Sequence, residues 1–188
     1  MTPEEQALAS VLGILERLQI GYMLTGSVAT SYHGRPRATH DADVVIDPTP
    51  AQLESLLVDL ERSGFYVNAL GARAALEHRR QFNAIDTSHG CKIDLIVRKD
   101  RPFSREEFAR RRHVDLTFDH PVAIVTAEDA ILSKLEWARL SGDSVRQLRD
   151  AAGVLELNPG LDRDYVERWA VDLGVLHLWQ SIATAPGV

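Results

Sequence analysis

One cysteine stands among 188 residues, so Cys91 has no intramolecular disulfide partner and the fold must hold without covalent staples. No apolar run approaches the ~18 residues that a membrane-spanning helix needs. The opening segment, MTPEEQALAS, is acidic and lacks the basic start and apolar core of a signal peptide. These absences lead to the expectation of a cytoplasmic protein with no membrane partner. Positive charge is also in short supply: the net charge is −6, which disfavours a surface built throughout for nucleic acid. Internal repeats and low-complexity linkers are missing. So is the Gly-x-x-x-x-Gly-Lys-Ser/Thr sequence, which argues against a P-loop nucleotidase.

What is present has the balance of a folded domain, 45% apolar and 26% charged, long enough for a core with a helical appendage. Leu8, Val11, Leu12, Leu15 and Leu18 recur at helical spacing, and Gly21 is expected to end that helix. Tyr22–Leu24 reads as a short buried strand, followed by a turn at Gly26–Ser27 and a short helix over VATSYH. DADVVID reads as a strand stopped by Pro48. Thr49 and Pro50 signal the start of a helix that Gly64 closes. FYVNA reads as a strand, and RRQFNAID and CKIDLIV as two more, joined by the turn signal TSHG into an antiparallel hairpin. Beyond Pro121 the pattern is helical, with Ala130, Ile131, Leu135 and Ala138 on one face. The expected fold is α+β: a small mixed β-sheet domain flanked by helices over 1–120, then a C-terminal helical region over 121–188.

The chemistry concentrates on three acidic residues. Side chains alternate faces along a strand, so Thr39, Asp41 and Asp43 share one face while Ala42, Val44 and Ile46 turn to the core. The same rule sets Asp94 apart from Ile93, Leu95 and Val97. A carboxylate inside an apolar strand needs a compensating partner. Three of them on one side of neighbouring strands would suit a hard divalent cation, which prefers oxygen ligands. The bland alternative gives Asp94 a salt bridge to Lys92 at a sheet edge and makes Asp41 and Asp43 surface decoration.

TGSVATSYHGRPRATHDADVVI followed by KIDLIV resembles the nucleotidyltransferase superfamily with the polymerase-beta-like fold. The resemblance implies that Gly26, Ser27 and their amides hold the triphosphate of an NTP. It implies that Asp41 and Asp43 bind Mg²⁺, and that Asp94 completes the metal site and helps to deprotonate the acceptor hydroxyl. The helical half, AEDAILSKLEWARLSGDSVRQLRDAAGVL, is similar to stand-alone bacterial nucleotidyltransferases of the AbiEii toxin type. There Lys134 would neutralise phosphate and Asp150 would orient Lys134 or a neighbouring arginine; the alternative is a solvated Lys134 on a polar helix face. This chain is much shorter than many toxins of that type. Arg35 and Arg37 precede the acidic pair and are candidates either for a nucleotide phosphate or for simple charge balance.

The resulting expectation is an Mg-dependent enzyme that moves an NMP from an NTP to an unknown acceptor, whether small molecule, tRNA or protein, with an antitoxin as a candidate partner. A non-catalytic nucleotide-binding or partner-docking module of the same fold is the alternative. A third reading is an aminoglycoside-type resistance enzyme, with Asp115, Asp119, Glu128 and Asp129 as candidates for an acidic cleft. His33 and His40 lack zinc-like spacing, and the tryptophans Trp137, Trp169 and Trp179 are expected to pack.

Overall fold

A computed structural model describes residues 1–36, 41–116, 118, 120–142 and 144–184. In chain order its elements are α1 (Pro3–Arg17), β1 (Tyr22–Thr25), α2 (Gly26–His33), β2 (Asp41–Ile46), α3 (Pro50–Arg62), β3 (Phe65–Val67), α4 (Ala69–Glu77), β4 (Gln81–Asp86), β5 (Lys92–Val97), α5 (Pro102–Arg110), β6 (Arg112–Val114), β7 (Val122–Ile124), α6 (Ala127–Leu140), α7 (Val145–Leu157), α8 (Arg163–Asp172) and α9 (Leu176–Ala183). The α+β class expected from the sequence is the one observed.

Two compact units divide the chain. One comprises Met1–Thr25 and Thr39–Ile124, the other Gly26–Ala38 and Val125–Val188. The first is built on a mixed sheet in the order β3-β4-β5-β2-β1-β7-β6. β2 and β5 run parallel, as do β1 and β7, and the remaining pairs are antiparallel. Helices α1 and α3 start on full capping boxes, Thr2 with Glu5 and Thr49 with Gln52, each followed by a proline in the first turn. Their apolar faces are fully buried through Val11, Leu12, Leu15, Leu56 and Leu60. Ala42, Val44 and Ile46 of β2, and Ile93, Leu95 and Val97 of β5, are buried as alternation requires.

The hairpin of β4 and β5 forms in the expected antiparallel sense. Other elements depart from the sequence reading. The first helix ends at Arg17, and the chain reverses at Gln19 in the left-handed region (φ 54°) rather than at Gly21. Gly21 is small for another reason: a Cβ there would lie 3.3 Å from the Phe108 ring. The strand over FYVNA stops at Val67 because Asn68 turns its side chain to the Gly71 amide and caps α4. Pro102 starts α5, and β7 adds a strand before the helices begin.

The second unit is helical. α6 packs on α7, α2 packs on both, and α8 and α9 close the bundle against α6 and α7. Close approach of the chain after α2 to α7 depends on Gly34. A Cβ on Gly34 would lie 2.8 Å from the Thr30 carbonyl oxygen and 3.0 Å from the Val154 nitrogen, both backbone atoms.

Candidate functional site

The parallel pairing of β2 and β5 places Asp41 opposite Lys92, and Asp43 opposite Asp94. Partners in register share a sheet face, so three carboxylates and one ammonium form a two-by-two patch. Both strands are interior: β5 lies between β4 and β2, and β2 between β5 and β1. Thr25, the last residue of β1, pairs with Asp43 on the other side. The sequence rule therefore found the face, and the register brought Asp41, Asp43 and Asp94 together.

Burial is graded across the patch. Asp41 is exposed at its rim and Asp94 is buried at 7%. Lys92 Nζ lies 3.0 Å from Asp94 Oδ2 and 3.9 Å from Asp41 Oδ2. The salt bridge to Lys92 thus exists, but in the sheet interior rather than at an edge. The hydrogen bond to Asp94 holds the ammonium above the usual lysine range, reinforced by the charges of Asp94, Asp41 and Asp43. Among the described residues Asp94 Oδ1 is buried with no hydrogen-bond partner. A buried carboxylate oxygen without a donor is costly, and a cation would satisfy it.

Among the described residues no three His, Cys, Asp or Glu side chains group closely enough to hold a metal by themselves. Mg²⁺ does not require such a cage, since it is commonly held by one or two carboxylates, waters and substrate phosphates. The donor set of all-oxygen carboxylates, with one oxygen orphaned, fits that ion.

Gly26 follows β1 in the chain with φ 60°, a conformation that costs glycine nothing, and opens α2 with Ser27 beside it. In the helical unit Lys134 Nζ and Asp150 Oδ2 are 3.0 Å apart, with side chains only 7% and 10% exposed. The solvated alternative for Lys134 is therefore wrong, because its ammonium is enclosed between α6 and α7. Arg37 and His40 lie outside the described residues. Arg35 is bound to both carboxylate oxygens of Glu156, at 2.7 and 2.9 Å. His33 Nε2 donates to the Val125 carbonyl at 2.7 Å.

Of the four acids considered for a cleft, Asp119 lies outside the described residues. Asp129 is fully buried, accepting from the Thr126 hydroxyl (2.8 Å) and the Tyr165 hydroxyl (2.6 Å), so it faces no ligand. Glu128 accepts from the Asp162 amide. Burial pushes the Cys91 thiol up, away from nucleophilic chemistry. Trp179 packs as expected, whereas Trp137 is 54% exposed. Lys92 is the member of the patch that the sequence reading left as a bland partner. Its spacing of two from Asp94 was visible; its place opposite Asp41 needed the register.

No family model matches the chain, and no curated protein matches it. Solved structures do. The chain is similar to ANT(2'')-Ia in complex with adenylyl-2''-tobramycin, with a TM-score of 0.61 at 15% identity over 92% of this chain and 98% of that one. The solution structure of the same antibiotic-resistance factor gives 0.55 at 14% identity, over 94% and 99%. An antigenic nucleotidyltransferase-like protein from Paracoccidioides brasiliensis gives 0.58 at 15% identity, over 100% and 96%. At these identities the likeness is one of fold, and the fold is that of nucleotidyltransferases.

Proposed function

We propose that the protein is an Mg-dependent nucleotidyltransferase that moves an NMP from an NTP to an acceptor hydroxyl and releases pyrophosphate. The observation that carries this reading is the carboxylate patch of Asp41, Asp43 and Asp94, brought to one sheet face by the β2–β5 register, with Asp94 Oδ1 buried and unsatisfied among the described residues. The shared fold supports it.

In the proposed reaction the acceptor oxygen attacks the α-phosphorus in line. A new O–P bond forms, the α–β bridging P–O bond breaks, and pyrophosphate departs with the electron pair. Asp94 helps to take the acceptor proton. Asp41 and Asp43 are the residues that would hold Mg²⁺, with Asp94 completing the set. Bound Mg²⁺ supplies offsetting charge for the attacking and leaving oxygens. Gly26 and Ser27 present amides at the start of α2 to the triphosphate. Lys134, oriented by Asp150, is assigned to phosphate charge, and Arg37 to the nucleotide.

The acceptor we favour is a small molecule bearing hydroxyl and cationic groups. A net charge of −6 suits a cationic acceptor better than a large RNA. The likeness to ANT(2'')-Ia extends over nearly the full length of both chains. A toxin role would make the acceptor a tRNA or a protein instead, and expression without an antitoxin would then arrest growth.

Labelled transfer tests the reading. The full chain is incubated with Mg²⁺, each NTP labelled at the α-phosphate, and either a panel of aminoglycosides, total tRNA or a cell extract. Label moving to an acceptor with wild type and not with the Asp41→Asn/Asp43→Asn double variant supports it, and the labelled species names the acceptor. Saturable NTP binding without transfer in any mixture would favour a non-catalytic binding module.

A further inference from the structure

Lys92 stands among the carboxylates proposed above to hold a cation. Its ammonium is bonded to Asp94 Oδ2 at 3.0 Å and lies 3.9 Å from Asp41 Oδ2. It thus engages two of the three carboxylates assigned above. An ammonium and a divalent ion held against the same carboxylate repel at short range through a partly desolvated medium, so each weakens the other's binding. The Lys92 side chain is 35% exposed on a flexible four-carbon stem, so it has room to leave. The Asp94 side chain is only 11% exposed and fixed on an interior strand, so it does not. Once displaced, the ammonium needs another anion, and the phosphates of a nucleotide provide one.

We propose that Lys92 is an internal counter-cation that occupies the carboxylate patch in the free protein, competes with a divalent cation for Asp94, and transfers to the nucleotide phosphates when cation and nucleotide bind together. This inference rests on the reading of Asp41, Asp43 and Asp94 as a cation site. Lys92 acts through the cation and the phosphates, as a positioning residue. It makes binding of the cation alone weak and couples it to nucleotide.

The test is binding of Mn²⁺ to the full-length protein without nucleotide, read as loss of the free-ion electron paramagnetic resonance signal. Wild type, Lys92→Met, Lys92→Arg and Asp43→Asn are compared, with folding checked by circular dichroism. Lys92→Met should bind Mn²⁺ about tenfold more tightly than wild type, because the competing charge is gone. Lys92→Arg should stay near wild type. In the converse titration, Lys92→Met should bind a non-hydrolysable ATP analogue with Mg²⁺ several-fold more weakly than wild type. If Lys92→Met does not fold, Lys92→Gln carries the same expectation. Equal Mn²⁺ affinity in Lys92→Met and wild type, with Asp43→Asn abolishing both, overturns the role of Lys92 and leaves the cation site standing. Mn²⁺ binding that Asp43→Asn does not weaken overturns the cation site itself, and the inference with it.

Discussion

The sheet unit and the helical unit each hold a lysine bonded to an aspartate at 3.0 Å, Lys92–Asp94 in one and Lys134–Asp150 in the other. Their surroundings differ in charge count and in access. Lys92 is one-third exposed and shared among Asp94, Asp41 and, through its charge, Asp43. Lys134 is enclosed, its ammonium bonded to Asp150 between α6 and α7. The first pair stands in a patch of several carboxylates with one buried oxygen unsatisfied among the described residues, which is a reason to bind something. In the second pair both charges are enclosed, which makes removal of either partner expensive. Ion pairs of one length therefore do not announce their roles; stoichiometry and burial do.

Breaking the first side of the comparison should give the largest effect. Asp43→Asn is isosteric and removes one charge from the patch, so transfer should fall on the order of a thousandfold. The melting temperature should stay close to wild type, since fewer like charges then face one another. Parallel transfer assays and thermal melts check both halves of this expectation.

The closed pair should respond in the opposite currency. Lys134→Ala leaves Asp150 enclosed without its lysine and should cost about 3–5 kcal/mol in urea unfolding. The double change Lys134→Met/Asp150→Leu should recover most of that loss. If it recovers stability but not transfer, Lys134 also serves phosphate. Recovery of both would confine the pair to the helical core.

Smaller effects sharpen the picture of the helical unit. Gly34→Ala drives a Cβ against the Thr30 carbonyl and the Val154 amide and should cost about 1–3 kcal/mol by the same measurement. Tyr165→Phe removes one of the hydroxyls that satisfy the buried Asp129 and should cost about 1–3 kcal/mol. Smallest of all, Cys91 should stay unmodified by a thiol reagent in the native protein and react only on unfolding.

Much of the site was legible because strand alternation is a strict rule. Asp41, Asp43 and Asp94 could be set apart from Val44 and Leu95 by counting residues, and the Gly26–Ser27 turn by its residue types. Register was not legible. That Asp43 stands beside Asp94, and Asp41 beside Lys92, follows from a parallel pairing between strands separated by a helix, a strand, another helix and a hairpin arm. The helical unit shows the same limit: Lys134 and Asp150 lie on different helices, so only packing reveals that they meet. Local signals failed where elements were short. Three residues, Val122–Ile124, are too few to display a period. Asn68 looked like the tail of a strand until its side chain was seen capping α4. The capping boxes at Thr2 and Thr49, by contrast, put both members three residues apart, where a reader of sequence can find them.

The most direct measurement of the central claim is where a cation and a nucleotide sit. Crystals of the full chain with Mn²⁺ and a non-hydrolysable ATP analogue would be measured at a wavelength that reveals manganese by anomalous scattering. The account predicts an anomalous peak bounded by Asp41, Asp43 and Asp94, with nucleotide phosphates on its open side and the Lys92 ammonium moved off Asp94. Bound nucleotide with manganese elsewhere, and Lys92 still on Asp94, would contradict it.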